Sequence, residues 1–352
     1  MFWTSYPWWK HWTHSLFSSF SLPTTEARAI PPQGTRFLSL FGKEEDRALL
    51  SRICHFLALH FAPTPAHPIL HHTPETLLGQ DDLLLVLLSD SGSGNDSGGK
   101  GKEKGNIIGT LRYHAIGTFQ MTPHALYLVD AFCIHPAWRK KGLATFLLAT
   151  LRTYANFHKK PNALFLKEGV PLLYLVPPLR SGNYVYCAIP PSRSRSRSPS
   201  PASSPPTCHV GVIPLSHEKA HRWMSHYLVS FPDTLLVVPS PSLAITWFAY
   251  RRTPCSVLIG VQDAHQTWRG GPIGWVTVWL ETPMTTEEDR KMITRGLIHS
   301  LSLSSSYRWL WMNQAWVGEQ MDPEWQEDGS FQWYTYQWTT GCLSGRSYGI
   351  PG

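Results

Sequence analysis

The amino-acid sequence predicts a mixed α/β fold, an α+β arrangement around a mixed sheet, built as two halves of similar content. Three observations predict it. A largely apolar run, Ala125 to Ile134, passes through a basic turn straight into a helix-patterned segment. Strand-like apolar runs and helix starts recur both before and after that unit. A stretch poor in apolar residues, PSRSRSRSPSPASSPP at 191–206, lies between the two sets. A chain of 352 residues exceeds what one core usually serves. The expected organisation is therefore a first half at 1–190, an Arg/Ser/Pro-rich disordered linker at 191–207, and a second half at 208–352.

Residues 35–62 carry helical signals: Leu49, Leu50, Ile53, Cys54, Leu57 and Leu59 recur at near-helical spacing after the acidic turn Glu44-Glu45-Asp46. Thr73-Pro74-Glu75 reads as a second helix start, with Thr as N-cap and Pro at the first helical position. Leu83–Leu88 is a buried-strand run, and Ile107–Tyr113 a strand. The polar, Gly/Ser-rich residues 89–105 between them predict a hairpin with a flexible loop. After the central strand and its helix, expected over Thr145 to about Phe157, residues 163–166 and 184–189 read as further strands. The second half opens on a helix start at His217–Trp223. Strands follow at Thr234–Val238, Leu243–Tyr250, Val257–Val261 and Trp275–Trp279, then a helix over Thr286–Ser300. Trp309–Met312 and Phe331–Trp338 read as closing strands.

Composition narrows the function classes. Net charge is +7, which suits polyanionic ligands such as nucleic acid or nucleotide phosphates. Part of that excess sits in the Arg-Ser run, so no nucleic-acid partner is expected, with that run, as an RNA contact, the one weak exception. None of the six cysteines is spaced CxxC, and they read as free thiols of a reducing compartment. The loose cluster His55, His60, His67, His71 and His72 matches no metal template, and no metal is expected. Neither a P-loop, a dinucleotide fingerprint nor a nucleophile elbow occurs. Lys10, His11 and His14 interrupt the aromatic N-terminal segment, which leaves no apolar core for a signal peptide. The run Leu83–Leu88 is too short to span a bilayer. These features predict a soluble, cytoplasmic, monomeric protein without a transmembrane segment.

The sharpest local signal is VDAFCIHPAWRKKGLATFLLATL, Val129–Leu151. A strand that ends at Ile134 is followed by Arg139, Lys140, Lys141 and Gly142, and a helix begins at Leu143, Ala144 and Thr145. Free N–H groups and the helix dipole favour an anion at such a turn, and the three cations add to that. Glycine lets the backbone approach a phosphate closely. The strand–RxxGxA–helix arrangement resembles the acyl-CoA signature of GNAT-type acyltransferases, which implies a GNAT-like fold and acyl-CoA held by Phe132, Cys133, Ile134 and the turn through Thr145.

The resemblance extends to one family over the whole length. FWTSYPWWK (Phe2–Lys10), Pro32-Gln33-Gly34, Thr73-Pro74-Glu75, Val129–Thr145, FLKEGV (Phe165–Val170) and VIPLSHEKAHRW (Val212–Trp223) resemble, in order, segments of the N-myristoyltransferases. EDGSFQWYTYQW (Glu327–Trp338) resembles that family's GDGNLQYYLYNW, with Asp328, Gly329, Gln332, Tyr334, Tyr336 and Trp338 identical. Phe61–His72 lacks the family's peptide-gripping segment. The resemblance implies two fused GNAT-like halves that transfer a fatty acyl group, myristoyl, from acyl-CoA to the N-terminal glycine amine of a protein. It implies that Phe2 and Trp3 cover the coenzyme and that the amides of Ala131 and Phe132 polarise the thioester. The α-carboxylate of Gly352 would be the base, and Asp328, Gly329, Tyr334 and Tyr336 would contact the peptide. Two rival readings stay open: an N-acetyltransferase with another amine acceptor, and an inactive homologue that binds acyl-CoA or peptide.

Overall fold

The computed structural model describes residues 20–21, 31–42, 47–62, 68–90, 105–120, 125–160, 162–169, 178–191, 211–232, 234–318, 321–336, 338–339 and 348–350. Strands of the first half are β1 (Phe20–Ser21), β2 (Thr35–Phe41), β3 (Ile69–Leu70), β4 (Leu83–Ser89), β5 (Ile107–Phe119), β6 (Ala125–Ile134), β7 (Ala163–Glu168) and β8 (Arg180–Ala188). Its helices are α1 (Arg47–His60), α2 (Pro74–Leu77) and α3 (Leu143–Phe157). The second half supplies β9 (Val212–Leu215), α4 (His217–Ser230), β10 (Leu235–Pro239), β11 (Ile245–Arg252), β12 (Cys255–Trp268) and β13 (Gly271–Glu281). It ends with α5 (Glu287–Ser304), β14 (Trp309–Asn313), α6 (Gln314–Val317), β15 (Gln326–Tyr336), β16 (Trp338–Thr339) and β17 (Tyr348–Gly349).

Residues 35–41 depart from the helical expectation. They form β2, paired antiparallel with β4 from Thr35↔Ser89 to Phe41↔Leu83. The helical period begins only at Leu49, and the segment before it is recruited by an open sheet edge. The expected hairpin across 89–105 is present as the β4–β5 ladder. Thr73 and Thr286 both cap their helices in reciprocal capping boxes.

In the first half the sheet is sandwiched. Leu83, Leu85 and Leu87 of β4 pack with Leu143, Phe146, Leu147 and Leu151 of α3 on one face. Leu84, Val86 and Leu88 pack with Leu49, Ile53 and Leu57 of α1 on the other. The period-2 alternation of a strand does this sorting. The second half repeats the plan. Ala220 and Met224 of α4 cover one face with Trp247, Leu258 and Val278, while Ile293, Leu297 and Leu301 of α5 enter the large core on the other.

The halves share one 15-stranded sheet whose main path runs β14-β8-β15-β7-β6-β5-β10-β17-β13-β12-β11-β9, with β4 and β2 branching from β5 and β3 from β12. Strand β15, late in sequence, runs antiparallel between β7 and β8 of the first half. Strand β10 pairs with the end of β5. Strand β14 pairs with both β8 and β13, so part of the sheet closes on itself. No helix among the described residues is long and apolar enough to cross a membrane.

Candidate active site

The ladder between the parallel strands β6 and β7 covers only Tyr127↔Ala163, Leu128↔Leu164 and Val129↔Phe165. Beyond it β6 continues to Ile134 and stays paired with β5. Strand β7 continues to Glu168, paired with β15. The two strands therefore part after Val129, and their inner edges open a cleft.

A bulge marks the start of that cleft. Thr110↔Cys133 and Arg112↔Asp130 leave two steps on β5 against three on β6, so Ala131 and Phe132 oppose one residue. The extra residue inverts the alternation. Tyr127 and Val129 pack on the α3 side, whereas Ala131 and Cys133 pack on the α1 side. Ala131 carries a φ of 44°, a costly value for a residue with a Cβ, and its carbonyl accepts from Thr110 Oγ1 at 2.8 Å. Asp130, just before it, accepts from Arg112 Nε at 2.6 Å and from Nη2 at 2.5 Å. The remaining guanidinium nitrogen of Arg112 donates to the carbonyls of Thr76 and Leu77.

The cleft deepens into a cavity of about 420 Å³ that draws its walls from both halves. Leu128 to Phe132 and Phe165 to Glu168 form the splayed side, Asp263 to Gln266 of β12 face it, and Trp275 and Trp333 supply aromatic surface. Trp275 and Trp333 lie parallel with centroids 6.4 Å apart. His72 and Arg112 add polar groups to the wall. Burial lowers the His72 imidazole well below its ordinary value, with the Arg112 charge adding to the effect. Glu168 is exposed by surface area yet surrounded by protein, as a side chain standing in a cavity is. Desolvation pushes its carboxyl up, and the Asp328 charge pushes it further. Burial also raises the Cys133 thiol to about 12, which makes it a poor nucleophile.

The basic turn follows β6 directly. Lys140 and Gly142 both have left-handed backbone, with φ of 64° and 79°. Gly142 is the N-cap of α3 and provides no side-chain cap, so no side chain of its own competes for the first-turn N–H groups. A Cβ at Gly142 would meet nothing within 4 Å, which leaves the space before the helix open. Ala144 and Thr145 are exposed and Leu143 is buried in the α3 core. Lys141 Nζ sits 4.5 Å over the Trp138 ring. Arg139 is held back against the protein: its Nε donates to Ile134 O at 3.1 Å and its Nη2 to His60 O at 3.4 Å. The cations nearest to free use are thus Lys140 and Lys141.

Of the residues singled out from sequence, Ala131 and Phe132 line the cavity, and residues 139–145 form the turn beside it. Cys133 is buried away from it, and Ile134 is half-buried at the strand end. Tyr334 is fully buried and stacks on Phe165, 5.1 Å between centroids, so it backs the cavity wall. Gly329 and exposed Asp328 lie at the start of β15, where Asp328 borders a small recess with Tyr186, Trp268 and Trp309. The backbone of Tyr336 pairs with Ala163. Phe2, Trp3 and Gly352, like most of the linker at 191–207, fall outside the described residues. The segment leading towards Gly352 is described to Ile350, whose N–H donates to Thr277 O at 3.0 Å. Sequence reading missed Arg112, Asp130, Glu168, Asp263 and His265. A charged residue inside an otherwise apolar strand run, as Arg112 and Asp130 are, was the available signal.

Residues 68–171, from just before β3 to just past β7, match the model of the acetyltransferase (GNAT) family. The whole chain is similar in fold to structures of Saccharomyces cerevisiae N-myristoyltransferase with bound myristoyl-CoA. One aligns at 11% identity and a TM-score of 0.57, covering 97% of this chain and 96% of that one. A second aligns at 12% identity and a TM-score of 0.58, covering 97% and 91%. At such identity the likeness is one of fold. No curated protein sequence matches the chain. The fold is GNAT-like, a mixed α+β architecture with one large sheet, and residues 68–171 are the part that matches the GNAT family model.

Proposed function

We propose that this protein is an acyl-CoA-dependent N-acyltransferase whose donor is a fatty acyl-CoA, myristoyl-CoA first among them. Its acceptor is the N-terminal glycine amine of a protein or peptide. The observation that carries the reading is the parting of β6 and β7 after Val129↔Phe165, with a bulge at Ala131 and Phe132 and the uncapped start of α3 beside it. This combination supplies both things the reaction needs, a seat for phosphates and a backbone bend where a thioester carbonyl meets fixed donors.

In this reading the pyrophosphate sits at the first-turn N–H groups of α3, with Lys140 and Lys141 neutralising it. The pantetheine arm runs along the open edge of β6. The amides of Ala131 and Phe132 stabilise the oxygen that gains charge as the amine attacks, and fixed donors of this kind contribute about 10²–10³-fold to rate. The high Cys133 thiol argues for direct transfer without an acyl-enzyme. Apolar wall residues such as Leu128, Leu148 and Phe165 suit an acyl chain. In this reading the first half holds the coenzyme, the second half faces the acceptor, and exposed Asp328 attracts a basic residue of the peptide.

The test is incubation with myristoyl-CoA or acetyl-CoA and a Gly-initiated peptide, with product followed by mass. Acylated peptide from myristoyl-CoA is expected. Product from acetyl-CoA alone would exclude the fatty donor, and binding without turnover would exclude the enzyme.

The phosphate seat makes a separate prediction. Gly142→Asp places a carboxylate at an N-cap that tolerates Asp, in a backbone region Asp adopts more readily than most residues. Thermal stability is expected to hold while Kd for CoA rises about 10- to 30-fold, because the new charge occupies the anion's place (about 1.4–2 kcal/mol). Unchanged CoA affinity by calorimetry would remove the α3 terminus from the site.

A further inference from the structure

The cavity has a second strained wall. Opposite the bulge at Ala131, strand β12 takes four steps from Asp263 to Thr267 while β13 takes two from Gly274 to Pro272. At this double bulge His265 has a φ of 49°, left-handed backbone in a residue that carries a Cβ. Ala131 and His265 are two of only six such non-glycine positions among the described residues, and both line the same cavity. Strained backbone gathers where a fold must aim a group that regular geometry would turn elsewhere.

The strain at His265 is held from three sides. Its N–H donates to Asp263 Oδ1 at 2.7 Å. Its carbonyl accepts from His71 N at 2.6 Å. Its ring packs on the His72 ring, 4.8 Å between centroids. The Asp263 carboxylate also stands 3.9 Å from His265 Nδ1, close enough to favour a proton on the ring once one arrives. The imidazole keeps about a quarter of its surface open, with a side-chain exposure of 27%.

Resting on the N-acyltransferase reading, we propose that His265 is the general base: it takes the proton of the attacking amine inside the cavity. The amine nitrogen bonds to the thioester carbon as an N–H proton passes to the imidazole. The C–S bond then breaks, and the coenzyme leaves as a thiolate that recovers the proton from the imidazolium or from solvent. Acyl-CoA and amine thus give amide and free CoA, with no other reactant.

The surroundings suit this role. Burial lowers the imidazole below its ordinary value, and the Arg112 and His114 charges on β5 lower it too. The carboxylates of Asp263 and of Asp130 on β6 act the other way. His72, from the segment before α2, is itself held neutral by burial. Lowered from the ordinary imidazole value, His265 is held towards its neutral, proton-accepting form, and it loses that ability as falling pH protonates the ring. The other carboxylates on the wall are less available: both oxygens of Asp130 are taken by Arg112. Among the described residues Glu168 is the remaining rival, and outside them the α-carboxylate of Gly352 is the other.

The experiment measures kcat, KM for peptide and acyl-CoA affinity in the full chain and three variants. His265→Asn suits the left-handed backbone and is expected to lower kcat about 10²-fold or more, with KM and acyl-CoA affinity unchanged. His265→Gly removes the ring without backbone strain, and added imidazole is expected to restore part of its turnover, which a structural role would not allow. Glu168→Gln, on the same wall, is expected to lower kcat less than either His265 variant does. Wild-type kcat in either His265 variant overturns the proposal, and so does a loss confined to Glu168→Gln. A wild-type chain that acylates no amine overturns both the base and the reading beneath it.

Discussion

Replacing Arg112 by methionine is expected to destabilise the fold by about 3–5 kcal/mol, the usual consequence of removing one partner of a buried ion pair. Arg112 is 4% exposed. Its guanidinium makes a two-pronged contact with Asp130 and donates to the carbonyls of Thr76 and Leu77. Methionine fills much of the same volume, so packing loss is small. What remains is a mostly buried carboxylate without its counter-charge and two carbonyls without a donor. Because Asp130 precedes the bulge at Ala131, acyl transfer is expected to fall as well. Denaturant unfolding with an unchanged m-value measures the stability effect. The double variant R112M/D130L removes the orphaned charge and is expected to be less destabilised than R112M alone. A loss under about 1 kcal/mol in R112M would show that the pair is not what holds β5, β6 and α2 together.

The second large effect is expected at Gly117, where β5 passes from its own half to β10 of the other. Its φ is 144°, and a Cβ built there falls 2.0 Å from the carbonyl oxygen of Val238. Neither atom is the end of a flexible side chain, so alanine can be admitted only if the backbone of β10 moves. Strain of about 1–3 kcal/mol in the dihedral and a similar amount from overpacking predict a loss of about 2–6 kcal/mol for Gly117→Ala. The contact at stake is the ladder Gly117↔Pro239, Thr118↔Val238 and Phe119↔Val237, one of several that join the halves. The cavity takes walls from both halves, whereas the basic turn at 139–145 belongs to one. Peptide turnover is therefore expected to suffer more than CoA binding, and equal losses in both would contradict the shared-wall arrangement.

Local chemistry made the centre of the first half legible in sequence. Ala125–Ile134 is a strand with the predicted bounds, and α3 starts at Leu143. Continuous apolar residues, then RKKG, then a helix period leave few alternatives. The helix starts at Thr73 and Thr286 were legible for the same reason, since capping is settled within four residues. Residues 35–41 were misread because their partner, β4, lies some forty residues away and edge pairing overrides a weak local preference. The strand β12 was longer than its apolar core, Val257–Val261, because its bulged end pairs with β3 and turns polar residues to the cavity.

By itself the sequence determined most of the elements and the basic turn, because each follows from residues within one or two turns of chain; Ala131 and Phe132 were singled out by the family resemblance, and the bulge there arises from pairing with β5. The tertiary structure alone decided which groups meet: Arg112 with Asp130, and His72 with His265 across the same cavity as Ala131. It also decided that one sheet runs through both halves, with β15 inserted between β7 and β8. The physical reason is that a site assembled from distant strands depends on register and bulges. Their cost and reward appear only when the partner strand is in place.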